Sequence, residues 1–208
     1  MSIVVTIGRH FGSGGKELGK RLAERLNIPF YDEELVDMAA DKSDMHQEVL
    51  KEIDEKATNS FLYALVTGGA TMRGMASPLF YEMPINDKLF IAQSDVIKSL
   101  AAKGSCVIVG RCADYVLEDT DFECANLFLH APMDFKIERI TRLYDLSPEK
   151  AKDKILKTEK SRKTYYNYYT NREWGNINNY DLCINTASVG MDKAVDLAVE
   201  FVKMKGNL

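Results

Sequence analysis

At 208 residues, with 46% hydrophobic and 28% charged side chains, the chain has the size and composition of one folded domain with a substantial core, which excludes disordered and fibrous classes. Its formal net charge of -4 argues against a protein that coats nucleic acid, so phosphate chemistry would have to rest on local basic groups. The four cysteines, Cys106, Cys112, Cys124 and Cys183, form no CxxC pair and no zinc-ligand spacing, which predicts no metal cluster, no disulfide framework and a reducing, cytoplasmic setting.

Residues 2–7, SIVVTI, are rich in β-branched side chains and run into Gly8, which predicts a buried strand entering a turn. That run is too short for a membrane span and lacks the charged start and long apolar centre of a signal peptide. After the stretch GRHFGSGGKE, Leu18, Leu22, Ala23 and Leu26 recur at helical spacing, giving strand, glycine loop, helix. IPFYD is a short second element and EELVDMAA a further helical run. Residues 41–85 change character, from an acidic, weakly periodic helix to GGATMRGMASPLFYEMP, and are read as a helical insertion.

A helix is predicted over 86–102, ended by Gly104, and CVIVGR and ANLFLHAP (125–132) read as buried strands. Ser147 and Pro148 supply an N-cap and a first-turn proline for a long polar helix reaching about residue 169. YDLCINTA is the last strand candidate, and MDKAVDLAVEFVKM (191–204) closes the chain as an amphipathic helix. Short apolar strands separated by helices predict an α/β fold in one domain, with a parallel sheet covered on both faces, because parallel neighbours need crossover connections.

Between a strand and a helix, Gly12, Gly14 and Gly15 sit where backbone amides at a helix N-terminus can cradle an anion. The GxxxxGK[ST] signature is not met: counted with Lys16 as its lysine, the first glycine is replaced by His10 and the final hydroxyl by Glu17. A glycine-rich turn ending a core strand remains the alternative. Arg9 and Lys16 flank the glycines and together are candidates to replace a displaced lysine.

IVVTIGRHFGSGGKELGKRLAERL resembles the opening of bacterial cytidylate kinases, in which a strand leads to a GSGKGT-type loop. Gly12-Ser13-Gly14 overlays without a gap, which puts Gly15 at the family's lysine position, Lys16 at the next glycine and Glu17 at the magnesium-binding threonine. The chain resembles more closely the cytidylate kinase-like family, whose members carry a GSGG loop without the usual lysine, followed by FYD and an internal VGR. FYDEEL, VIVGRCADYVL and the aromatic run through NYDLCINT extend the likeness over nearly the whole chain. Cys112 stands where cytidylate kinases have an aspartate after GR. The resemblance implies a three-layer P-loop kinase-type fold with a helical insertion and a lid at about 145–175. It also implies ATP and Mg²⁺ as cofactors.

Other residues join these. Arg111 follows CVIVG at a strand end, outside which ligands of open α/β sheets bind, and a guanidinium there can grip phosphate in bidentate fashion; a surface salt bridge is the plainer reading. Asp32, at another strand end, can orient an acceptor hydroxyl or hold magnesium's water shell, or simply cap a helix. Residues 150–173 form the most basic stretch of an acidic chain. By resemblance they are the lid, with Lys160, Arg162 and Lys163 closing over the transferring phosphoryl group. Tyr165, Tyr166, Tyr168, Tyr169 and Trp174 are expected to pack the helix on its neighbour rather than stack a base. His10, inside the loop, is placed to touch phosphate.

These residues give a phosphotransferase using Mg-ATP on a nucleoside monophosphate or other small-molecule acceptor. Lys16, Asp32, Arg111, Arg162 and Lys163 are its catalytic candidates. Arg9, Gly12, Ser13, Gly14, Gly15, Lys16, Glu17 and Lys160 are its nucleotide-binding candidates, with no metal held by protein ligands alone. A non-catalytic nucleotide or phosphate sensor is the second reading, since the Glu17 carboxylate would repel donor phosphates unless magnesium intervened or it pointed away. RNA binding through the tyrosine-rich basic helix is the least favoured.

Overall fold

The structure is a computed structural model that describes residues 2–32, Leu35, Met38 and 85–206; the insertion expected at 41–85, save its last residue, and most of the EELVDMAA helix lie outside the described residues. In chain order the elements are β1 (Ile3–Arg9), α1 (Gly15–Leu26), β2 (Phe30–Tyr31), α2 (Ile85–Ala101), β3 (Cys106–Val109), α3 (Ala113–Val116), β4 (Glu123–His130), α4 (Met133–Tyr144), α5 (Pro148–Thr170), β5 (Leu182–Asn185), α6 (Thr186–Val189) and α7 (Met191–Gly206).

The sheet has five strands in the order β2-β3-β1-β4-β5, and every pairing is parallel. β1 is central: Val5 lies opposite Val107 on one side and Ala125 on the other. Alternation along β1 explains why Ile3, Val4, Val5 and Ile7 are all apolar; Thr6, buried among them, donates its hydroxyl to the Asn126 side chain at 2.7 Å. Ile3, Val5 and Ile7 point into one layer with Leu18 and Leu22 of α1 and Val195, Ala198, Val199 and Val202 of α7. Val4 points into the other, with Val96, Ile97 and Leu100 of α2, Leu35 and Ala113. A strand covered on both faces must be apolar or hydrogen-bonded at every step, whereas each helix needs only one apolar stripe.

Boundaries follow local chemistry. Ser147 Oγ accepts from the Lys150 amide at 3.4 Å and Pro148 opens α5, as the sequence predicts. β5 ends earlier than YDLCINTA suggests, because the Asn185 side chain accepts from the amides of Ala187 and Ser188 and turns the chain into α6. No helix is predicted from the sequence at α4, where Met133, Ile137, Ile140 and Tyr144 recur at helical spacing; Ile140 packs with Ala151 and Ile155 of α5 in a separate small core, against which Met133 and Ile137 also pack. All four cysteines are free thiols. No helix among the described residues is long and apolar enough to cross a membrane.

Leu18 is fully buried between α1 and the sheet, whereas Leu197 on α7 is 50% exposed. Leu18→Ala should cost about 2–5 kcal/mol and lower the melting temperature by roughly 5–15 °C, while Leu197→Ala should shift it by no more than about 2 °C, as followed by circular dichroism.

Candidate active site at the C-terminal edge of the sheet

Parallel strands all end at one edge, and there the glycine loop after β1, Asp32 after β2 and the Gly110 turn after β3 meet. The loop is pinned from below. The His10 amide donates to the Leu129 carbonyl at 2.9 Å, Ser13 Oγ lies 3.0 Å from the carbonyls of both His10 and Leu129, and the Thr186 hydroxyl donates to the Ser13 carbonyl at 2.8 Å. Gly12 and Gly14 adopt φ of 88° and 89°, conformations that favour glycine, and Gly14 caps α1. The first-turn amides of α1 have no intrahelical acceptor, so the loop presents donors and the positive end of the helix dipole to the cavity above it.

That cavity has a volume of about 590 Å³, and Arg9, Gly12, Gly14, Gly15, Lys16, Glu17, Asp32, Arg111 and Arg162 are among the residues lining it. Nearly all the candidates named from sequence are therefore brought together. Ser13 is instead buried beneath the loop, where its hydroxyl braces the backbone. Lys160 and Lys163 are exposed and are not part of the cavity wall; Lys163 Nζ lies 3.4 Å from the Glu173 carboxylate.

The geometry concentrates guanidinium groups. Arg9 lies 3.5 Å and Lys16 3.7 Å from the two oxygens of the buried Asp32 carboxylate. Arg162, from α5, donates to the Arg9 carbonyl at 3.1 Å and stands over the Phe11 ring, 5.5 Å from its centroid. Burial first, and then the Arg9 and Arg111 charges, hold the Arg162 guanidinium well below its usual range, against the opposing pull of Asp32 and Glu159. Arg111 is aimed by the backbone: Gly110, Arg111 and Cys112 have φ of 77°, 57° and 54° in succession. Left-handed conformations in two non-glycine residues cost about 1–2 kcal/mol each and are kept only where the surroundings enforce them.

Residues not singled out from sequence complete the site. Arg139 of α4 pairs with Glu17, which Arg21 also approaches at 3.7 Å, so this carboxylate is engaged by two guanidiniums. Lys157 also lines the cavity. Lys136 is 5% exposed and bonds Glu159 at 2.7 Å, locking α4 to α5 over Gly12. The spacing of Lys136, Arg139 and Ile140 on one helical face was the available signal, and it is faint in a short charged run.

At the other end the cavity is aromatic and carboxylic. Tyr166 donates to Asp114 at 2.6 Å, and burial raises the Asp114 acid above its ordinary value despite this bond. Tyr165 donates to Gln93 at 3.2 Å and Tyr169 stacks on Phe90 at 4.2 Å, so these tyrosines do pack α5 onto α2, while Tyr165 and Tyr166 also face the cavity. His10 packs edge-on to Phe128 at 5.2 Å, and burial lowers its pKa, favouring the neutral ring. Among the described residues no group of three or more His, Cys, Asp or Glu is placed to hold a metal ion.

Comparisons with known proteins agree with this architecture. The model of the cytidylate kinase-like family matches residues 4–188. A cytidylate kinase from Methanobrevibacter smithii is 24% identical over 204 residues, 97% of this chain and 99% of that one. Another, from Halobacterium salinarum, is 26% identical over 147 residues, 67% of this chain and 76% of that one. Among solved structures, an uncharacterized protein from Eubacterium ventriosum superposes with a TM-score of 0.69 at 30% identity, covering 97% of this chain and 98% of that one. A gluconokinase from Sinorhizobium meliloti shares the fold at 13% identity, with a TM-score of 0.56 and coverage of 98% and 94%. The P-loop kinase-type parallel sheet expected from the sequence is the fold found.

Two outcomes follow from the electrostatics. An anion that enters the cluster relieves repulsion among Arg9, Arg111 and Arg162, so pyrophosphate near 100 times its dissociation constant should stabilise the protein by about 2.7 kcal/mol, or roughly 5–10 °C in melting temperature. Arg162→Met should remove most of that rise in a thermal-shift titration. For Asp114, folding raises the pKa from 3.8, so the protonated acid is favoured in the fold and its contribution is lost as pH climbs from about 4 through the folded value. The melting temperature of Asp114→Asn relative to the wild type should therefore be near zero below pH 4, grow more positive as pH rises above it, and level off once pH passes the folded value.

Proposed function

This chain belongs to the cytidylate kinase-like family, and from that premise we propose that it transfers the γ-phosphoryl group of Mg-ATP to a nucleoside monophosphate or another small acceptor. The observation that carries the reading is the convergence of Arg9, Arg111 and Arg162 on one cavity with the glycine loop at the strand ends. Holding like charges half-buried in one cavity is the arrangement expected of a site for polyanions.

In this reading the amides of Gly12 to Glu17 and the N-terminus of α1 hold the donor phosphates. Asp32 would accept hydrogen bonds from the water shell of magnesium bound with the triphosphate, which would supply charge neutralisation at the phosphate oxygens. Arg111 positions the acceptor. As the acceptor oxygen bonds to the γ-phosphorus, the bond to the bridging oxygen breaks and ADP leaves with that oxygen. Arg162 faces the charge that spreads over the phosphoryl oxygens during this passage, and fixed donors in a desolvated site stabilise such charge most. Arg139 and Arg21 compensate Glu17, which removes the repulsion that speaks for a non-catalytic sensor. Cytidine monophosphate is the first acceptor to test, because the curated relatives are cytidylate kinases. Cys112 occupies their aspartate position, and Asp114, two residues on, offers a carboxyl to the same cavity.

The test is ADP release from Mg-ATP across a panel of nucleoside monophosphates and small metabolites. Acceptor-dependent ADP is expected, with Arg111→Ala and Arg162→Ala each lowering kcat/KM by about 10²–10³-fold. Tight ATP binding without turnover on any acceptor would favour the sensor, and no ATP binding would overturn both readings.

A further inference from the structure

The loop leaves one charge unaccounted for. In phosphate loops of the GxxxxGK type, a lysine on the first turn of the helix reaches the outer donor phosphates. Gly15 stands at that position here. With Gly14 and Gly15 in the last two places of the pattern, Arg9 falls on its first glycine, so the cation and the glycine have exchanged positions.

The exchange is complementary in space. A Cβ built on Gly15 would lie 2.6 Å from Arg9 Cγ and 2.7 Å from Arg9 Cβ, closer than atoms can approach. Gly15 begins α1 and does not have the positive φ of its neighbours Gly12 and Gly14, so its backbone tolerates a side chain. What excludes one is the Arg9 stem. A Cβ on Gly110 would likewise overlap the Arg9 guanidinium. Two glycines thus open a channel along which Arg9 runs from the end of β1, across the start of the helix, to the cavity beside Asp32. Arg162 holds the Arg9 carbonyl at 3.1 Å, so the strand end that carries this side chain is anchored from α5. Lys16 is a weaker candidate for the role, since its side chain is 59% exposed.

We propose that Arg9 supplies the phosphate-contacting charge that related loops take from the helix lysine, delivering it from the strand through the space that Gly15 and Gly110 vacate. This rests on the phosphotransferase reading and assigns the role to Arg9 rather than to Lys16. Arginine suits it, because a planar fork can bridge oxygens of adjacent phosphates while a lysine offers a point charge.

The test is a transplant. Arg9→Ala, Arg9→Lys, Lys16→Ala, Gly15→Lys and the double variant Arg9→Gly/Gly15→Lys are compared for kcat, for KM of both substrates and for Mg-ATP affinity by calorimetry, with melting temperature reporting folding. Arg9→Ala should lower kcat about 10²-fold or more with acceptor KM little changed, a loss at least about tenfold greater than that of Lys16→Ala. Gly15→Lys alone should be inactive or unstable through collision with Arg9. The double variant, which recreates GxxxxGK, should exceed Arg9→Ala by at least about tenfold.

Arg9→Ala within a few-fold of wild type, or a folded double variant no better than Arg9→Ala, overturns the proposal. If the double variant does not fold, Arg9→Lys decides: partial activity above Arg9→Ala supports a role for the charge, and equal loss overturns it. If wild type binds Mg-ATP without turnover on any acceptor, the phosphotransferase reading fails while affinity still tests Arg9, a tenfold weakening in Arg9→Ala supporting its phosphate contact and unchanged affinity overturning it. If wild type does not bind Mg-ATP, both fall together.

Discussion

Mutual repulsion among guanidinium groups, held close where the sheet ends, is the constraint around which this molecule is arranged. Burial is the first cause that depresses Arg162, and the neighbouring Arg9 and Arg111 charges add to it, so bringing the three together costs free energy. Asp32 and Glu159 offset part of it. The sheet makes the arrangement possible: β1 and β3 are hydrogen-bonded neighbours in register from Val4 with Cys106 to Ile7 with Val109, so the loop after one and the turn after the other leave the same edge side by side. A parallel sheet forces that coincidence, and an antiparallel one would send the two turns to opposite ends.

Rigidity beneath the cluster matters as much as the charge. The loop does not rest on glycine flexibility. Its carbonyls and amides are bonded to Leu129, Ser13 and Thr186, and the Gly110 to Cys112 turn holds Arg111 in a backbone conformation with little freedom. Groups fixed before a ligand arrives lose little entropy on binding it, which is how a site of modest size gains affinity.

Much of this was legible in the sequence, for identifiable reasons. A central strand buried on both faces is written mostly in apolar residues: SIVVTI and CVIVG are rich in β-branched ones, and ANLFLH buries Ala125, Leu127, Phe128 and Leu129. Gly12 and Gly14 announced a loop because few other residues adopt their φ. The basic helix was harder. By composition Lys160, Arg162 and Lys163 are alike, and only helical periodicity separates them: Thr158, Arg162 and Tyr165 share the cavity face, with Lys160 and Lys163 turned to solvent. Arg139 is one of two arginines on α4, and little in the sequence marks which of them meets Glu17 across the cavity. The contact between Arg9 and Gly15 was not legible at all, since two residues six apart across a turn meet only once the strand and helix directions are set.

The Lys136 and Glu159 pair has a mechanical implication. An ammonium group almost sealed from water cannot part from its carboxylate without a penalty of about 3–5 kcal/mol. The two helices that carry these residues are therefore bolted to each other, and any swing of the longer one drags the shorter along. The Lys136 stem also rests on Gly12, its Cβ 3.1 Å from where a Cβ would sit there, so the loop and these two helices are packed as one unit.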